Sequence, residues 1–215
     1  MMIVVTRSEG DRMTIATDER ATTVQQRMTL AEYLDYDPDT DTWYELEDGI
    51  LVDMSGEHPL NPRIAIFLLG YLLQEMGIPL RLLVIGHQIE VRSTYATCRQ
   101  PDLMVHTVES DAALTGDERV LNLGTSAPLL VVEVASNTLT DGRSRKRDYE
   151  HKPREYADRG ISEMWIVDPD RAWVQVGTLT DDAYQFETFT DEQIIKSCTF
   201  PALTLTAAQV LTAGR

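Results

Sequence analysis

Three residues far apart in the chain could carry out hydrolytic chemistry together. Asp102 follows Pro101 at the head of an apolar stretch, Glu133 lies inside Leu129-Leu130-Val131-Val132-Glu133-Val134-Ala135, and Lys152 follows on a charged segment. An acid in the middle of such a run is costly to bury unless it is paired or bound to a cation. Two carboxylates are hard oxygen donors suited to Mg2+ or Mn2+. An ion held by them polarises a phosphodiester and lowers the pKa of a bound water, while a nearby lysine steadies the developing negative charge or orients that water. Taken singly, Asp102 also reads as a turn residue after proline, and Glu133 as half of a buried salt bridge.

To meet, these groups need two adjacent strands and a helix. The nearly unbroken apolar run 129–135 reads as a central strand covered on both faces. Extended segments at 80–85, 88–92 and 102–106 precede it, the last carrying Asp102 at its head. Residues 145–159 read as a charged helix ending at Gly160, followed by a strand at 163–167 and a turn at Asp168-Pro169-Asp170. Asp148, Lys152 and Tyr156 recur at intervals of four, which aligns them on one helix face over roughly 12 Å. That spacing also fits an exposed ion-pairing face.

The remaining elements frame this unit. Thr29 and Glu32 form a capping-box pattern, and strands at 44–47 and 50–54 meet at Asp48-Gly49, a dipeptide suited to a tight hairpin turn. Helical periodicity over 62–76, from Ile64 and Ala65 to Met76, stops at Gly77. A second hairpin is expected over 173–178 and 184–190 around Asp181-Asp182, then a last helix at 206–211. The pattern predicts an α/β (α+β) fold, a mixed central sheet flanked by helices, with N-terminal and C-terminal hairpins. Residues 1–27, polar and without clear periodicity, are expected to be a loosely attached N-terminal extension, and 28–212 a single domain. No internal repeat is present.

Composition sets the outer bounds. At 215 residues and 43% hydrophobic, the chain can bury one substantial core. No apolar run approaches the roughly 20 residues needed to span a bilayer. The first residues do not resemble a secretory signal, so a cytoplasmic location is expected. Cys98 and Cys198 are too few for a disulfide framework and are not spaced with the four histidines as a zinc set. A formal charge of -16 and a pI near 4.5 oppose nucleic-acid binding through the overall field. Against this, Arg143, Arg145, Lys146, Arg147, Lys152 and Arg154 fall together beside the proposed site as a local basic patch.

The chain resembles the Uma-type family of restriction endonucleases, a bacterial group within the PD-(D/E)xK nuclease superfamily, over about Met28 to Leu211. The resemblance rests on the 28–34 segment MTLAEYL, Tyr44-Glu45 leading to Asp48-Gly49, Pro101-Asp102 and Glu133-Val134-Ala135-Ser136. The Asp148/Lys152/Tyr156 spacing and the 160–169 segment GISEMWIVDP complete it. It implies a restriction-endonuclease-like fold and a metal-dependent DNA endonuclease in which Asp102 and Glu133 bind Mg2+ or Mn2+, with the Val134 carbonyl as a third ligand. In the wider superfamily the lysine lies two positions after the second acid. That position here is Ala135, so the role passes to Lys152 on the helix, with Arg147 or Lys146 as alternatives. Glu45 matches an acidic position in the family's hairpin, where it would hold a metal-bound water; a surface strand glutamate is the other reading. The histidine that family members carry ahead of the main helix falls on Asn61, not His58. DNA is the implied substrate and a homodimer the implied assembly, so that two sites address two strands. Two other readings stand beside this one: a catalytically silent nuclease fold serving as a binding or scaffold module, and a metal-dependent phosphodiesterase acting on a small nucleotide.

Overall fold

A computed structural model describes residues 4–8, 12–16, 27–37, 43–54, 58–114 and 120–213, the first two segments as backbone alone. In chain order the elements are β1 (Val4–Ser8), β2 (Arg12–Ala16), α1 (Leu30–Leu34), β3 (Tyr44–Glu47), β4 (Ile50–Asp53) and α2 (Asn61–Gln74). There follow β5 (Leu83–Val84), β6 (Gln88–Val91), β7 (Thr97–Arg99), β8 (Leu103–Val105), α3 (Val108–Ala112), β9 (Val120–Leu121) and β10 (Leu130–Val134). The chain ends with α4 (Gly142–Lys146), α5 (Lys152–Asp158), β11 (Glu163–Asp168), β12 (Trp173–Thr180), β13 (Ala183–Phe189) and α6 (Ala207–Thr212).

Two mixed sheets carry the fold. The larger has the order β13-β12-β11-β10-β8-β5, with β10 and β11 parallel and the other pairs antiparallel. The smaller runs β4-β3-β7-β6-β9, with only β6 and β9 parallel. The β10 strand sits fourth in the larger sheet with every residue buried, as its apolar run requires. Its alternation divides two cores. Leu130, Val132 and Val134 pack with Ile64, Leu68 and Leu72 of α2 and with Val210 of α6. On the other face Val131 and Ala135 pack with Tyr156 of α5 and Met164 of β11.

Both sequence-predicted hairpins form. Asp48 and Gly49 take φ of 48° and 82°, the left-handed pair that a two-residue hairpin turn demands. A Cβ at Gly49 would lie 2.6 Å from the Tyr95 ring, so glycine is required by space as well as by angle. The Thr29/Glu32 capping box is present at α1. Among the described residues no helix is long and apolar enough to cross a membrane.

The structure differs from the sequence reading at four points. Residues 80–85 are not one strand: Leu80–Leu82 form a 3-10 turn after Pro79, leaving two strand residues. The short strands β7 and β9 and the helix α3 fall in segments where two to five residues show no clear period. Within the 1–27 extension, β1 and β2 pair as an antiparallel hairpin. The helix expected over 145–159 is a longer helical run that widens into a π-turn at Arg147–His151. There the Lys152 N–H bonds to the Arg147 carbonyl, five residues back. Pro153 accounts for the widening, because its ring lacks an N–H and crowds the carbonyl four residues earlier.

Candidate active site

Glu133 lies on the β10 face that α5 covers, and the structure supplies its buried carboxylate with two partners. Lys152 Nζ donates to Oε2 at 2.6 Å, and the Tyr156 hydroxyl donates to Oε1 at 2.5 Å. Lys152 and Tyr156 stand one α5 turn apart, as their spacing predicts, and both are buried. Asp148 Oδ1, one turn earlier, lies 3.9 Å from the same ammonium.

The smaller sheet adds a second layer of charge. Glu45 on β3 is 1% exposed, so the surface-glutamate reading is overturned: the β3 edge is covered by β7 and α5. Its Oε1 lies 3.5 Å from Lys152 Nζ and accepts the Gln100 N–H at 3.1 Å, and its Oε2 lies 3.1 Å from Arg99 Nη1. Arg99, wholly buried on β7, also grips Glu155 of α5 through two bonds of 2.7 and 2.9 Å and lies 3.4 Å from Glu47. His151 Nδ1 meets the other side of Glu47 at 2.9 Å. Arg99 thereby ties β3, β7 and α5 together around Lys152. Nothing in the sequence singled it out; the only cue was an arginine between Cys98 and Gln100 in a short apolar stretch.

Asp102 takes a different place. The antiparallel register of β10 with β8 ends at the Val132–Leu103 pair, and Glu133 and Asp102 each stand one residue past it. Asp102 Oδ2 accepts the Val134 N–H at 2.7 Å, closing the end of the ladder. The Val134 carbonyl accepts from Asn61 Nδ2 at 2.7 Å, and Asn61 is steadied in turn by the Ser136 hydroxyl at 3.1 Å. Asn61 thus reaches β10 from the start of α2. A cavity of about 380 Å³ opens beside these groups, with Glu45, Gln100 and Asp102 in its wall and Trp43, Met54 and His58 around it.

The expected basic patch does not form as one surface. Lys152 is buried on Glu133, and Arg147 turns to Asp148 at 3.0 Å; only Arg143, Arg145, Lys146 and Arg154 remain exposed. Burial inside an acidic cluster outweighs solvation for the first two. Arg147 and Lys146 therefore do not replace Lys152 at Glu133.

The electrostatics follow from this crowding. Burial raises the Glu133 pKa to about 7, helped by the Glu45 charge and opposed by Lys152 and by both hydrogen bonds. At Glu45 burial acts in the same sense but loses to Lys152, Arg99 and Arg147, and the group is held well below the usual carboxylate range. Burial works against the Lys152 charge, yet Glu133, Glu45 and Asp148 together raise its pKa, so the lysine is an ammonium at neutral pH. Glu45, Glu47, Glu133, Asp148 and Glu155 face only three permanent cations, Arg99, Arg147 and Lys152. Acid is in excess.

Asp102, which lines the cavity, and the buried Glu133 and Val134 carbonyl on β10 offer hard oxygen atoms in neighbouring parts of the chain's larger sheet. This set has the chemistry for Mg2+ or Mn2+, ions that retain several waters and need few protein ligands. Among the described residues no group of three or more His, Cys, Asp or Glu side chains is arranged to hold a metal.

Two mixed sheets flanked by few helices, with hairpins at either end, define the class as a restriction-endonuclease-like α+β fold. A crystal structure described as a putative nuclease belonging to DUF820 from Anabaena variabilis shares it, with a TM-score of 0.62 at 17% identity over 86% of this chain and 98% of that one. Residues 30–208 match the Uma2 family, described as "Putative restriction endonuclease", and the chain belongs to that family. None of the curated proteins compared with the chain matches it.

Proposed function

We propose that the protein is a divalent-cation-dependent DNA endonuclease that hydrolyses phosphodiester bonds. Asp102, Glu133 and the Val134 carbonyl would hold the ion, and the domain spanning 28–212 would act as a homodimer on the two strands. The observation that carries the reading is the Lys152 ammonium, 2.6 Å from the Glu133 carboxylate, on the strand whose next residue, Val134, donates its N–H to Asp102. When bound, such an ion supplies charge neutralisation at the phosphodiester and a water of lowered pKa. Lys152 supplies a fixed positive charge for the negative charge that develops on the phosphorane oxygens. Tyr156 and Glu45 position it, the first by holding the far oxygen of Glu133, the second by attracting the ammonium from the cavity side. Arg99 keeps β3 and α5 in register, so that this ammonium has one place to stand.

A second reading has its own observation. Both Glu133 oxygens are already engaged, and a closed pair of this kind would serve a catalytically silent fold that binds without cutting. Incubating the protein with supercoiled and single-stranded DNA in Mg2+ or Mn2+, beside Asp102→Ala and Lys152→Ala, separates the two. Metal-dependent nicking that both variants lose supports the nuclease. Loss in Asp102→Ala alone keeps the metal site and removes Lys152 from the chemistry. Metal binding without cleavage of either DNA favours the silent module.

A further inference from the structure

The cavity beside Glu45 and Asp102 has a feature that hydrolysis does not use. Trp43 is 66% exposed at its rim, although its neighbours Tyr44 and Glu45 turn inward. The Trp43 backbone is fixed, since its carbonyl accepts the Met54 N–H at 2.9 Å. Met54, Pro59, Pro62 and Ala65 give the wall an apolar surface. Two polar groups stand among them. His58 Nδ1 accepts the Leu60 N–H at 3.1 Å, and the Gln100 side-chain oxygen accepts from Gln88 at 3.3 Å.

We infer that this cavity receives a single unstacked nucleobase from a DNA single strand, stacked on Trp43, with its phosphate directed to the Glu45 and Asp102 end. The inference rests on the endonuclease reading and names the form of its substrate. At about 380 Å³ the cavity is of small-molecule size and cannot admit a duplex. A base inside a duplex has both faces covered, so only a base out of the stack can lie on an indole. With a net charge of -16 the chain has little long-range attraction for phosphates, and base stacking is the contact that does not need it. The apolar wall suits a planar neutral ring, and Gln100 and His58 suit its polar edge.

The test is binding without turnover. Fluorescence anisotropy in EDTA would follow a labelled oligothymidylate and the same backbone bearing abasic sites, with the wild type, Trp43→Ala and Trp43→Phe. The wild type should bind the strand with bases about tenfold more tightly than the abasic strand. Trp43→Ala should bind both alike, and Trp43→Phe should restore most of the preference. An unchanged preference in Trp43→Ala, or no preference in the wild type, overturns the inference. Because no metal or cleavage is involved, a protein that stacks bases but never cuts would sink only the nuclease reading. One that cuts with no base preference would sink only this one.

Discussion

Two buried glutamates on neighbouring parallel strands, Glu133 on β10 and Glu163 on β11, show what burial alone does and does not signify. Glu163 is wholly enclosed and, among the described residues, accepts from neutral donors: the Trp165 indole N–H at 2.6 Å, the Ser197 hydroxyl at 2.7 Å and the Thr199 N–H at 2.9 Å. It staples the chain after β13 to the sheet. Glu133 instead faces an ammonium and a phenol, with Glu45 and Arg99 behind them. A carboxylate satisfied by neutral donors is a structural fitting. One held by a lysine ammonium among surplus acids has other charged groups within reach.

Perturbing the two sites should break them in different ways. The largest effect is expected for Lys152→Ala, which leaves Glu133 buried without its cation. Metal-dependent nicking should fall by at least about 10²-fold, and stability by roughly 3–5 kcal/mol, read from urea denaturation. Arg99→Ala strands Glu45 and Glu155 together and should cost a similar roughly 3–5 kcal/mol, with loss of activity as α5 loosens. Glu163→Gln keeps the shape and one acceptor, and should cost only about 1–2 kcal/mol while leaving nicking intact.

The smallest effect is one of pH. Glu133 has a folded-state pKa near 7 against an ordinary 4.5, so its protonated form is favoured by the fold. Its contribution to stability is therefore present below about pH 4.5 and is lost as pH rises through about 7. Urea midpoints measured across that window should change less with pH in Glu133→Gln than in the wild type, and Glu163→Gln should follow the wild type.

Strand β10, the two hairpins, α2 and the Asp148/Lys152/Tyr156 face could be read from the residues, because each has a period or a turn dipeptide that only one backbone conformation satisfies. That a buried Glu133 must meet a cation could also be read, but not that Lys152 would be its partner. Arg99 could not be read, since its partners are 52 or more positions away in sequence and no local pattern marks them. Glu45 could be read either way because a four-residue strand beside a turn says nothing about the β7 strand that covers it. The expected basic patch divided for a related reason: charge counted along the chain does not reveal which cations acidic neighbours draw inward. The π-turn had a local cause in Pro153 that helical periodicity alone passes over.

The direct test of the contrast is Mn2+ binding followed by electron paramagnetic resonance in the wild type, Glu133→Gln and Glu163→Gln. The wild type and Glu163→Gln should bind with equal affinity, and Glu133→Gln should bind at least about tenfold more weakly. Equal Mn2+ affinity in Glu133→Gln and the wild type would contradict the account and leave Glu133, like Glu163, a structural acid.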